Sequence, residues 1–148
     1  KLKSMGITLP TPMEPVGSYV HAAAVGNLLF VSGQGPRKDG KIQFTGKVGR
    51  DLTIEEGYEA AKWVCVNSLA AIKWAAGDLD KVERIVKVLG FVNAPEGFTE
   101  SPKVINGFSD LLIELWGQNG RHARSAIGVQ ALPSNISVEV EMIVQLKT

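Results

Sequence analysis

From Ile136 to Lys147 every even position is apolar: Ile136, Val138, Val140, Met142, Val144 and Leu146. The odd positions are Ser137, Glu139, Glu141, Ile143, Gln145 and Lys147, mostly polar. Alternation sustained this long predicts a strand with two unlike faces, one for a core and one that must meet water or another surface. A chain of 148 residues is the size of a single domain, since domains mostly run ~100–150 residues. We therefore expect one domain over residues 1–148. Its first 18 residues are rich in Pro, Gly, Thr and Met, and residues 1–14 read as an irregular leader.

The other elements follow from local signals. Tyr19–Val25 and Asn27–Ser32 are expected as a strand pair turning at Gly26-Asn27, closed by Ser32-Gly33-Gln34-Gly35-Pro36. Residues 37–49 form a polar excursion with a short strand near Ile42–Phe44. Thr53 and Glu56 make a capping-box pair, and Gly77 is a helix stop. Between them Ala61, Val64, Cys65, Ser68, Leu69 and Ile72 recur at helical spacing. The run Val82–Val92 is nearly all apolar, as a strand covered on both faces would be. A second helix starts at Ser101-Pro102, with Ser101 as cap, and Val104, Ile105, Phe108, Leu111, Leu112 and Leu115 form its stripe. Ala123–Gln130 is the expected hairpin partner of the last strand. That pairing sets Glu139 opposite about Ile127, roughly 10 Å along the strand from Arg124. The fold class is α+β, a sheet with two helices on one face. The other face would then carry Glu139, Glu141, Arg124, Ala126 and Gly128, either solvated or pressed against another subunit.

Composition narrows the function classes. Sixteen basic and fifteen acidic residues give a net charge of +1, which argues against a dedicated nucleic-acid or anionic-membrane surface. No run approaches the ~20 apolar residues of a membrane span, and no apolar signal core opens the chain. A soluble, cytoplasmic protein is expected. The single cysteine, Cys65, lies in an apolar run and reads as buried and inert. His21 and His122 are the only histidines, too few and too scattered for a zinc site.

Four features could carry chemistry. Glu139 and Glu141 emerge on one side of a strand, ~7 Å apart; paired carboxylates do acid–base work when their surroundings separate their pKa values. Arg124 lies among small residues, where its planar fork suits a ligand carboxylate; its plainer use is an ion pair with one of these glutamates. Tyr19, on the same face of the first strand as His21, could orient a polar ligand. The loop at Gly33 allows close backbone approach but lacks the Lys-Ser/Thr ending of a phosphate loop.

Taken together, Gly17-Ser18-Tyr19-Val20-His21-Ala22, Leu29-Phe30-Val31-Ser32-Gly33-Gln34-Gly35-Pro36, Phe91-Val92 with Phe98, and His122-Ala123-Arg124-Ser125 through Ala131-Leu132-Pro133 to Val138-Glu139-Val140-Glu141 resemble the reactive-intermediate deaminase superfamily. This is the YjgF-type group, also called L-PSP endoribonucleases. The resemblance covers about residues 14–147. It implies a chorismate-mutase-like fold, a homotrimer with ligand clefts between subunits, and hydrolysis of 2-aminoacrylate-type enamines and imines to 2-keto acids and ammonia, without cofactor or metal. It implies that Arg124 holds the substrate carboxylate, that Glu139 positions or activates water, and that Tyr19, Gly33, Glu96 and Ala126 line the substrate site. Ala126 stands where many deaminases have cysteine, Glu96 where many have asparagine, and His122 where a proline is usual. A non-catalytic metabolite-binding member is the alternative these departures raise, with ribonuclease activity third.

Overall fold

The computed structural model describes residues 1–12, 15 and 17–148. In chain order the elements are β1 (Ala22–Val25), β2 (Leu28–Gln34), β3 (Arg37–Lys38), β4 (Lys41–Ile42), α1 (Ile54–Ala76), β5 (Val82–Asn93), α2 (Ser101–Trp116), β6 (Ala123–Val129) and β7 (Val138–Leu146). Five strands form one mixed sheet in the order β1-β2-β7-β5-β6, and β3 and β4 make a separate small ribbon. The alternating C-terminal segment is the middle strand, antiparallel to both β2 and β5. Its even residues from Val138 to Val144 are buried against the helices, and Glu139, Glu141 and Ile143 turn to the open face.

The expected β6–β7 hairpin does not form. Ala123–Val129 is a strand, but it pairs parallel to β5, and β5 separates it from β7. A parallel neighbour needs a long crossover, which α2 supplies, leaving the other edge of β5 to β7. Both Glu139 and Ile127 are in register with Phe91, so they stand two strands apart rather than side by side.

Helix α1 starts as its capping box requires: the Thr53 hydroxyl accepts from the Glu56 amide, and the Glu56 carboxylate accepts from the Thr53 amide. Gly77, at φ 92°, ends it. Helix α2 begins one residue before the expectation, with Glu100 at the cap position and no side-chain cap bond. Ser101 is buried inside the first turn, facing Gly128 of β6, and so cannot serve as the cap. The two helices cross at Gly107, where a Cβ would run into the Tyr58 carbonyl. Tyr58 then clamps the crossing by donating its hydroxyl to Asp110 at 2.7 Å. Beneath the helices, Val64, Leu69, Ile72, Ile105, Phe108 and Leu112 close a fully buried core over Ile85, Val88, Val92 and β7. Cys65 belongs to it, and burial pushes its thiol far above the usual range, as an inert cysteine requires.

The described residues of the N-terminal segment are irregular apart from a turn at Lys3–Met5, yet Leu2, Met5, Ile7 and Leu9 pack against the core. Met13 and Glu14 of the expected leader lie outside the described residues. The first strand is shorter than expected. It starts at Ala22, because β2 shifts register between Val31 and Gln34 and the Val20 carbonyl takes the Ser32 hydroxyl instead of a ladder partner. The strand expected at Ile42–Phe44 stops at Ile42, since Phe44 has φ 56°. Among the described residues no helix is long and apolar enough to cross a membrane.

Candidate functional site at the edge of the sheet

Arg124 sits on β6, the edge strand, in register with the fully buried Val88. It therefore points to the helix side of the sheet, and so do Ala126 and Gly128. The expectation that these three share a face with Glu139 and Glu141 is overturned, because β6 meets the sheet through β5 and not through β7. Arg124 reaches α2, where its Nη1 donates to Asn106 Oδ1 at 2.8 Å and Ser109 Oγ at 3.2 Å. Both acceptors are neutral. The ion pairs among the described residues are Arg50–Asp51 and Lys103–Glu100, so Arg124 is not consumed by a glutamate. Its Nε and Nη2 have no hydrogen-bond partner among the described residues. That edge of a guanidinium is the fork that takes a carboxylate in two parallel bonds.

Ser109 also lies 2.8 Å from His122 Nε2, and His122 Nδ1 lies 2.7 Å from the Gly120 carbonyl. Burial, opposed by the Gly120 contact and joined by the charge of Arg124, holds the His122 pKa below its ordinary value.

Glu139 is half-buried on the open face. Burial first, and the neighbouring Glu141 second, raise its pKa above the carboxylate value. It has no hydrogen-bond partner among the described residues, and it lies across the backbone of Gly33: a Cβ there would be 2.5 Å from Glu139 Oε2. Gly33 sits in the irregular stretch of β2, so glycine is what lets the carboxylate rest against the strand.

Arg124 and Glu139 do not converge within one chain. They project from opposite faces, with one strand between them, and their partners Val88 and Phe91 are three residues apart, about 10 Å. Tyr19 lies ahead of β1 and is 52% exposed, while His21 is buried edge-on against Trp74, so these two do not share the face expected of them. Glu96 is exposed and lines a cavity of about 610 Å³ with Lys47, Arg50, Phe98 and Gly128. Ala126 packs against the core beside Arg124. Among the described residues no three His, Cys, Asp or Glu side chains group as a metal cage would.

Three contributors escaped the sequence reading. Asn106 and Ser109 stand one turn apart on one side of α2, and that polar pair beside the apolar stripe was the available signal. Lys47 lies in the excursion read as a loop. Its Nζ donates to Asn93 Oδ1 at 3.0 Å and to the Ala94 and Gln130 carbonyls, tying that loop to the ends of β5 and β6.

A mixed sheet under two helices, with an arginine on its edge held by neutral acceptors and a glutamate on its open face that has no partner among the described residues, defines a small α+β protein. The chain belongs to the family described as "YjgF/chorismate mutase-like, putative endoribonuclease", whose pattern matches residues 1–146. It is 42% identical over 146 residues to protein TCP17 of Trypanosoma cruzi, covering 98% of this chain and 91% of that one. A 2-iminobutanoate/2-iminopropanoate deaminase of Dermatophagoides farinae is 32% identical over 142 residues, with 95% of each chain covered. The crystal structure of Atu1372, a protein of unknown function from Agrobacterium tumefaciens, superposes with TM-score 0.92 at 46% identity, covering 99% of this chain and 90% of that one.

Proposed function

We propose that this protein is a cofactor-independent hydrolase of small 2-imino or enamine carboxylates, working as a cytoplasmic homotrimer with its sites between chains. The observation that carries the reading is the free Nε/Nη2 edge of Arg124, charged and held in place by neutral acceptors alone. A substrate carboxylate docked there fixes the imine carbon, and orientation of that kind removes much of a reaction's entropic barrier. Water adds to the imine carbon as Glu139 takes its proton. Glu139 hands that proton to the imine nitrogen, giving the carbinolamine. It then takes the hydroxyl proton as the keto group forms and passes it to the nitrogen as the C–N bond breaks and ammonia leaves. A half-buried carboxylate with a raised pKa suits each of these transfers.

Because Arg124 and Glu139 face apart within one chain, the reading requires Glu139 of a second copy to reach the Arg124 of the first. The open sheet face, with Phe30 at 42% and Ile127 at 46% exposure beside Leu89 and Ile143, has the apolar character such a contact needs. The similarity to a named imine deaminase points the same way. The test is decay of 2-iminobutanoate, generated by an amino-acid oxidase, with and without the protein. Acceleration that disappears in Arg124→Ala is expected, and full activity in that variant would sink the proposal.

A second reading is a metabolite binder without turnover. Ala126, which packs against the core and brings no reactive group to the edge, favours it, as does the exposed carboxylate of Glu96 in the cavity it lines with Gly128. Saturable 2-oxobutanoate binding with no imine hydrolysis would select it.

A further inference from the structure

We propose that Ser109 and His122 are positioning residues for Arg124, a directional relay that fixes the guanidinium while the imidazole is neutral and releases it when the ring gains a proton. The proposal rests on the reading of Arg124 as the carboxylate anchor.

The polarity of each link follows from chemistry. A carbonyl only accepts, so His122 Nδ1, 2.7 Å from the Gly120 oxygen, carries the hydrogen. In a neutral ring Nε2 is then a lone pair, and the Ser109 hydroxyl at 2.8 Å donates to it. With its hydrogen so directed, the Ser109 oxygen presents its own lone pairs to Arg124 Nη1 at 3.2 Å. Guanidinium, hydroxyl, imidazole and carbonyl thus form one chain in which every donor meets an acceptor, and such chains polarise one another. Asn106 Oδ1 holds the second Nη1 hydrogen. Together they leave the Nε and Nη2 edge without a partner among the described residues.

A protonated ring breaks this order. Nε2 becomes a donor, the Ser109 hydrogen loses its acceptor, and two cations aim at one oxygen. The charged group bearing on His122 from β6 is Arg124. Helix α2 brings the uncharged Ser109 and Asn106, and the turn after it brings the Gly120 carbonyl. Arg121 and the β5 residue Arg84, joined through the Arg121 carbonyl, add only positive charge. Asp110, next to Ser109 in the chain, is turned to Tyr58. Among the described residues no carboxylate stands against His122 to compensate a second cation. The relay is therefore assembled at neutral pH and comes apart in acid.

The test uses the full chain, 2-oxobutanoate as probe, and nitrogen NMR of the His122 ring. The ring should be the neutral Nδ1–H tautomer at about pH 8, and wild-type affinity should fall about threefold to tenfold toward pH 5, tracking the ring's own titration. Ser109→Ala and His122→Ala should lose a similar factor at neutral pH, against about a hundredfold for Arg124→Ala. His122→Gln, whose amide oxygen replaces the Nε2 acceptor, should bind within about twofold of wild type and lose the pH dependence. Ser109→Ala should also raise the ring's titration midpoint, because it removes a donor that favours the neutral form. An Nε2–H tautomer, or wild-type affinity with unchanged pH dependence in His122→Ala, overturns the relay. The tautomer and the midpoint need no ligand. If wild type fails to bind 2-oxobutanoate while these two readouts hold, the anchor reading fails and the hydrogen-bond order stands.

Discussion

The two faces of the sheet are finished to different degrees. On the helix side Val88, Val138, Val140 and Val144 are fully buried, and Arg124, a charged group on that side, is seated on two neutral acceptors. On the open side Phe30 and Ile127 are nearly half exposed, and Glu139 lies half-buried with no partner among the described residues. The helix face is complete in one chain except for the Nε and Nη2 edge of Arg124. The open face holds apolar surface and a costly carboxylate that a lone chain gives no reason to keep. In this account the two unfinished pieces, a free guanidinium fork and a free carboxylate, complete each other across a subunit boundary.

The largest effect should come from breaking the finished side. Gly107→Ala places a methyl group on the Tyr58 backbone carbonyl, which has no rotamer to escape into. We expect a loss of about 3 kcal/mol in urea unfolding. A fully stable variant would show that the helices are not so closely pinned.

Next comes the unfinished side. Phe30→Lys with Ile143→Lys should leave the circular dichroism of the fold unchanged while reducing the particle to one chain in sedimentation, and turnover should vanish with the assembly. A double variant that stays assembled would remove the open face from the interface.

A smaller effect is expected at Gly33. The alanine methyl must push Glu139 from its place, so imine hydrolysis should drop about tenfold, chiefly in kcat, with 2-oxobutanoate affinity little changed. An equal loss in affinity would mean that Gly33 acts on the ligand and not through Glu139.

The smallest concerns stability. The folded state raises the Glu139 pKa, so between the ordinary value and the raised one it holds a proton that the unfolded chain has released. Stability therefore falls as pH rises through that window and stays lower above it. Glu139→Gln removes this fall. It should raise the Tm of the dissociated Lys double variant by about 2 °C at neutral pH and by nothing in acid. A gain that is the same at both pH values would point to packing instead of charge.

Legibility in the sequence followed the range of the interactions. The capping box at Thr53, the stop at Gly77 and the alternation of β7 are local, and each lies where the residues themselves put it. The partner of β7 is a long-range choice. Strict alternation says that a strand has two faces but not which strand lies beside it, and so β6 was set against the wrong neighbour. That single error carried Arg124 to the wrong face, although Arg124 and Glu139 were both recognisable as chemical groups. Ser109 and Asn106 were hidden because polar residues flanking a helix stripe usually meet water. Only the return of β6 beside α2 gives them a guanidinium to hold.

The most direct test of the shared site is a mixing experiment. Arg124→Ala and Glu139→Gln, each inactive alone, would be dissociated, combined in equal amounts and reassembled before imine hydrolysis is measured. If each site takes Arg124 from one chain and Glu139 from the next, random assembly gives one intact site in four, about a quarter of wild-type activity. A mixture as inactive as its components would place both residues in the same chain's site, or outside the chemistry altogether, and would contradict the account.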